Sequence, residues 1–121
     1  MKSLRFLDWK VYKDARRFFV LLLRVAKTIP KEYRYEIASQ IIRSAFSVLL
    51  NIAEGSGKHS AAELNRFFDI ALGSLFETVA GADALREAGL IEEKVFAEIE
   101  DLANQISDQL GGFKKKLRRS S

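Results

Sequence analysis

The chain has 121 residues, 48% of them apolar, and a net charge of +4. That length suits a single core, and nine Phe and one Trp supply enough bulk to fill it without metal or disulfide staples. Cysteine is absent, which excludes a disulfide scaffold, a thiolate zinc or iron–sulfur site and a cysteine nucleophile, and fits a reducing, cytoplasmic setting.

The opening residues Met1 to Phe6 carry basic charge but no continuous apolar stretch and no small-residue cleavage site, so no signal peptide is expected. The longest apolar run, Phe18 to Leu23, is about a third of a membrane span and is bracketed by Arg16, Arg17 and Arg24. It reads as buried helix. Thr28-Ile29-Pro30, Gly55-Ser56-Gly57 and Gly89 divide the chain into four segments too long for ordinary strands.

The first helix is expected over about 8–27, with Asp8 as its cap and a stripe of Val11, Ala15, Phe18, Leu22 and Val25. Pro30 disfavours helix at Ile29 and starts the next element. The second helix is expected over about 31–54, on a seam of Ile37, Ile41, Ser44, Val48 and Ile52, with Gly55 as a left-handed stop. The third spans about 60–88 and opens on a capping box, Ser60-Ala61-Ala62-Glu63. Its seam is Leu64, Phe67, Ala71, Ser74, Thr78, Ala82 and Leu85, and Gly89 ends it. The fourth, about 92–116, repeats Phe96, Ile99, Ala103, Ile106, Leu110, Phe113 and Leu117, with acid at its start and base at its end to match the helix dipole. A basic tail occupies 114–121. The expectation is one all-α domain over 1–121: an antiparallel up-down four-helix bundle.

No constellation for catalysis is found. His59 is the lone histidine and has no second ligand near it. The Glu-x-x-His pairs of di-iron bundles are missing. Gly55 to Ser60 looks superficially like a phosphate loop, but a helix precedes it and the spacing is wrong, so two helix caps account for it. No enzyme activity, cofactor or metal is expected. Gln40, Arg43, Ser47, Asn51 and Glu54 form a polar line at 3-4-4-3 spacing along the second helix. They are expected to make an interhelical or intersubunit hydrogen-bond network, with contact to a ligand or partner as the alternative.

Charge is unevenly spread. Residues 1–35 carry ten Lys/Arg against three acids, residues 63–110 three against eleven, and residues 111–121 five against none. Lys10, Lys13, Arg16, Arg17, Arg24 and Lys27 cover about a third of the first helix. In an antiparallel bundle the tail cations Lys114, Lys115, Lys116, Arg118 and Arg119 end beside the start of that helix. Together they are the candidate surface for RNA or DNA phosphates, against the alternative of a solvated face or charge pairing between subunits. Val20 and Leu21 within the stripe, flanked by Tyr12 and Leu23, suggest self-association. A protein-interaction module that docks a partner enzyme without touching nucleic acid is the second reading.

The stretch Gln40-Ile41-Ile42-Arg43-Ser44-Ala45-Phe46-Ser47, followed by Asn51-Ile52-Ala53-Glu54-Gly55-Ser56-Gly57-Lys58, resembles a known family. These are the four-helix-bundle proteins encoded by intervening sequences in bacterial 23S ribosomal RNA genes, among them the accessory variability determinant proteins of diversity-generating retroelements. Asp8 to Ala15, Ile29 to Glu32 and Phe67 to Glu77 are similar to three further family elements, in the same order. The resemblance implies a barrel-like homopentamer. For the retroelement members it implies binding to a reverse transcriptase and, through a basic surface, to nucleic acid.

Overall fold

The computed structural model describes the backbone of residues 4–120 and side chains as far as Leu117. After a 3-10 turn, Arg5–Asp8, come α1 (Lys10–Thr28), the single turn α2 (Lys31–Tyr33), a π-helical stretch Arg34–Ala38, α3 (Ser39–Ser56), α4 (Ala61–Glu87) and α5 (Glu93–Ser120). The four long helices pack in the cyclic order α1, α3, α4, α5, each against two neighbours. Cross-links fix their antiparallel sense. Trp9 at the start of α1 lies 5.4 Å from Phe113 near the end of α5, while Ser44 meets Thr78 and Ser47 meets Ser74 between α3 and α4. Among the described residues there is no strand, and no helix is long and apolar enough to cross a membrane.

The expected seams supply the core. Val11, Ala15, Phe18 and Leu22 of α1 meet Val48 and Ile52 of α3, Phe68 and Leu75 of α4, and Ile99, Ile106 and Leu110 of α5. Burying one such large side chain contributes about 1.5–3 kcal/mol. Phe68 shows how the interior is filled: its ring meets Phe113 edge-on at 5.3 Å, closing the end of the bundle under Trp9.

Three local expectations are corrected. Asp8 does not cap α1. It belongs to the 3-10 turn, and Trp9 takes the N-cap in extended conformation (φ −68°, ψ 131°) with no side-chain cap. The second helix is not one regular run. The π-helical stretch inserts a wider turn, with Ser39 Oγ donating to the Tyr35 carbonyl and the Arg34 guanidinium to the Ile29 carbonyl at 3.2 Å. That extra residue shifts the register, so Ile37 is 40% exposed and Ala38, at 1%, takes its inward place. Gly55 is not a left-handed stop either: α3 continues to Ser56, and Gly57 caps it at φ −90°. Gly55 is instead buried against α4, where an added Cβ would lie 3.0 Å from Phe67 Cβ and 3.2 Å from Leu64 Cδ1. α5 runs unbroken through Gly111 and Gly112.

Two stops and starts agree with their chemistry. Ser60 Oγ accepts from the Glu63 amide at 3.1 Å, opening α4. At its other end Gly89 takes φ 76°, Leu90 N donates to Leu85 O and Gly89 N to Arg86 O, both at 2.9 Å. That is the full two-bond glycine closure.

The two kinds of glycine environment give a test. Gly55→Ala gains about 1 kcal/mol of helix propensity but forces Phe67 and Leu64 apart, for a net loss of about 1–3 kcal/mol. Gly73→Ala, with open space around its Cβ, stabilises by about 0.5–1 kcal/mol. Thermal unfolding of the two variants should therefore move in opposite directions; a stabilising Gly55→Ala would disprove the close approach.

Candidate nucleic-acid interface

α1 turns Val11, Ala15, Phe18, Leu22 and Val25 inward, which leaves its cations on the outside. Lys10, Lys13, Arg16, Arg17, Arg24 and Lys27 are all exposed. They divide into two sets according to what they touch.

Lys10 and Arg17 are committed to Asp14. The Asp14 side chain lies on the Val11–Ala15–Phe18 side of the helix and the residue is only 3% exposed. Lys10 Nζ reaches Asp14 Oδ2 at 2.7 Å and Arg17 reaches Oδ1 at 3.2 Å, while Gln109 Nε2 donates to Oδ2 from α5 at 2.8 Å. Burial opposes ionisation of this carboxyl. The hydrogen bonds from Lys10 and Gln109 and the charges of Lys10 and Arg17 together outweigh it and hold Asp14 below the ordinary carboxylate range. The cluster therefore ties α1 to α5 and consumes part of the positive charge of the stripe.

Lys13, Arg16, Arg24 and Lys27 have no ion pair among the described residues. Arg16 lies against the Tyr12 ring, 5.7 Å from its centroid. Arg16, Arg17 and Arg24 also border an open groove of about 520 Å³ between α1 and α5, whose far wall carries Glu98 and Asp101 and whose floor holds Val20, Leu21 and Leu102. The outer surface of α1 is thus cationic, whereas the groove beside it has walls of both signs.

The tail is less simply placed. α5 does end beside the start of α1, but Lys114 pairs with Asp69 of α4. Lys115 is exposed and Lys116 has a partner. The side chains of Arg118 and Arg119 lie outside the described residues.

The polar line on α3 is brought together in part. Ser47 meets Ser74 at 2.8 Å, Asn51 Nδ2 donates to Ser47 O and Oγ at 2.8 and 3.0 Å, and Gln40 donates to Glu77 at 2.9 Å. Arg43 and Glu54 point outward, on the exposed side of α3 with Phe46 and Leu50. Phe46 rests on Phe19 of α1, with ring centroids 4.8 Å apart. Val20, by contrast, is 37% exposed and Leu21 half-buried. More apolar side chain is therefore exposed on α3, and on α4 at Ile70 and Phe76, than on α1. His59 is exposed in the α3–α4 turn, and no group of three or more potential metal ligands occurs among the described residues.

Sequence reasoning counted Asp14 only as one acid among many and missed its role. The signal was present: Asp14 is three residues after Val11 and four before Phe18, so it shares their inward side, with Lys10 and Arg17 one turn away in either direction.

These features define a class, an antiparallel four-helix bundle whose first helix presents an outward cationic face. The chain belongs to the 23S rRNA-intervening sequence protein family, whose profile matches residues 7–112. It is also similar to a solved structure from Bacteroides thetaiotaomicron, described as a protein with unknown function from the S23 ribosomal protein family. The two are 24% identical with a TM-score of 0.81, over 87% of this chain and 98% of that one, a likeness that establishes the fold. No curated protein matches significantly.

The Asp14 cluster has a pH signature. Because its folded-state pKa is depressed, its stabilisation is present above the unfolded carboxylate value of about 3.9 and is lost as pH falls through the lower folded value. Asp14→Asn should cost about 1–2 kcal/mol near neutrality, since charged hydrogen bonds become neutral ones. The gap between wild type and variant should close as pH falls below about 4. Denaturant unfolding across that range measures it, and a gap that widens in acid would contradict the assignment.

Proposed function

We propose that this chain is a non-enzymatic, oligomeric accessory protein of the cytoplasm that holds RNA or DNA by its backbone through the outer surface of α1. The observation that carries this reading is the exposed set Lys13, Arg16, Arg24 and Lys27, with no intramolecular ion pair among the described residues. Unpaired surface cations in a row on a rigid helix are what phosphate neutralisation requires, and release of counterions supplies the affinity. Lys10, Arg17 and the tail cations Lys114, Lys115, Lys116, Arg118 and Arg119 assist.

Self-association belongs to the same proposal. Phe46 and Leu50 on α3 are the apolar surface that a neighbouring copy would cover, leaving α1 outside. A ring of five copies, as the family resemblance implies, would repeat the cationic helix around its rim and multiply weak contacts.

A second reading is favoured by the outward group Arg43, Phe46, Leu50 and Glu54: the chain docks a partner enzyme, such as a reverse transcriptase, without itself touching nucleic acid. One titration separates the two. Labelled RNA and DNA should bind with affinity that falls steeply with salt, the log–log slope changing by about 0.7–0.9 per phosphate neutralised. Glu substitutions at Lys13, Arg16, Arg24 and Lys27 should abolish binding. No binding by wild type at about 50 mM salt would leave the docking reading in its place.

A further inference from the structure

Resting on that reading, the arrangement of the four cations identifies the form of the nucleic acid. We infer that α1 lies across a groove of a duplex, with Lys13 and Arg16 on the phosphates of one rim and Arg24 and Lys27 on those of the other.

The four cations are symmetric about Val20, at four and seven residues on either side. With a rise of 1.5 Å per residue, Arg16 and Arg24 are about 12 Å apart along the axis, and Lys13 and Lys27 about 21 Å. The major groove of B-form DNA is about 12 Å wide. The inner pair thus matches the opening, and the outer pair falls beyond each rim, within reach of the next phosphates. The centre of the span meets the groove, where there is no phosphate to neutralise, and there the helix carries Val20 instead of a cation.

A single strand fits this surface poorly. Strands bound along a basic track are held as much by base stacking on aromatic rings as by charge. Of the aromatics on α1, Phe18 is in the core, Phe19 is half-buried against Phe46, and Tyr12 is half-buried with Arg16 over its ring. The exposed rings Tyr33, Tyr35, Phe46 and Phe76 belong to other elements. Nor can a strand sink into the groove beside α1, because Glu98 and Asp101 form its far wall. A single phosphate row laid along α1 would also set a phosphate over the uncharged Val20, whereas two rows engage both pairs and leave that gap open.

Asp14 sharpens the pattern. By holding Lys10 and Arg17, it removes the two cations that would otherwise make the stripe denser toward its N-terminal end. What remains free is two pairs separated by a gap.

The test uses the full chain, a mixed-sequence DNA duplex of about 20 base pairs and each of its single strands, titrated by anisotropy at several salt concentrations. The duplex should bind about tenfold or more tightly than either strand at ~100 mM salt. Lys13→Gln with Arg16→Gln, or Arg24→Gln with Lys27→Gln, should each flatten the duplex slope by about 1.8 and erase most of the preference. Lys58→Gln with Lys94→Gln removes the same charge elsewhere and should leave the preference intact, with circular dichroism reporting that every variant is folded. Strands that bind as tightly as the duplex, or a control pair that erases the preference equally, would overturn the inference while leaving backbone binding standing. Absence of binding to any of the probes would instead remove the reading on which it rests.

Discussion

Everything in the bundle is organised around how closely α3 and α4 approach each other. At Gly55 the backbone of α3 comes so near Phe67 that an added Cβ would press on its Cβ at 3.0 Å, and at Gly81 a Cβ would lie 2.9 Å from Ile41 Cγ1. Between these two points the contact is polar: Ser44 to Thr78 at 2.6 Å and Ser47 to Ser74 at 2.8 Å. Small side chains let the backbones come close, and their hydroxyls bond across the seam, so that each of these four oxygens has a partner. From the other pair of helices, Phe18 and Leu22 of α1 and Ile99 and Ile106 of α5 fill the centre. The α1–α5 pair is looser, which is why it can hold a buried carboxylate and an open groove.

That asymmetry decides where charge can be used. Asp14 sits at the loose seam, and two of the six cations of α1 are drawn to it. A buried carboxylate is tolerated only when paired, so its partners are fixed in place and part of their charge is cancelled. The cations that remain uncommitted are those pointing straight away from the bundle. Surface charge on α1 is thus set from within, by a side chain that solvent scarcely reaches.

Much of this was legible in the sequence. Periodicity gave the apolar seams because burial depends on a 3.6-residue repeat that side-chain type alone reveals, and the Ser60–Glu63 cap is a local pattern that needs no tertiary contact. What failed was tertiary. Gly55 looks like a helix stop because glycine so often is one, but here Phe67 demands the missing Cβ from a residue twelve positions away. The π-helical stretch before α3 displaced Ile37 from the seam in favour of Ala38, a one-residue shift that hydropathy does not register. The cationic stripe was visible as a row of letters. Its division into committed and free members rests on a local signal that counting charges passes over, Asp14 one turn from both Lys10 and Arg17; only the bond from Gln109, ninety-five positions away, is beyond the reach of sequence spacing.

The cyclic order of the helices gives the molecule an electrical direction. Residues 63–110, which build α4 and most of α5, carry eleven acids against three bases, whereas α1 lies diagonally across the bundle from α4. A polyanion approaching the α4 side is repelled, and one approaching α1 is drawn in, so the field selects an orientation before any contact forms. α3, between the two and nearly neutral, carries the exposed Phe46 and Leu50. Arg43 and Glu54 flank these two side chains and offset one another, so that side carries little net charge although a surface covering it would have to pair or desolvate both. Were copies to meet through α3, each would keep its cationic helix clear of the contact. Base is thus concentrated on α1 and acid on α4 and α5, while exposed apolar side chains occur both on α3, at Phe46 and Leu50, and on α4, at Ile70 and Phe76.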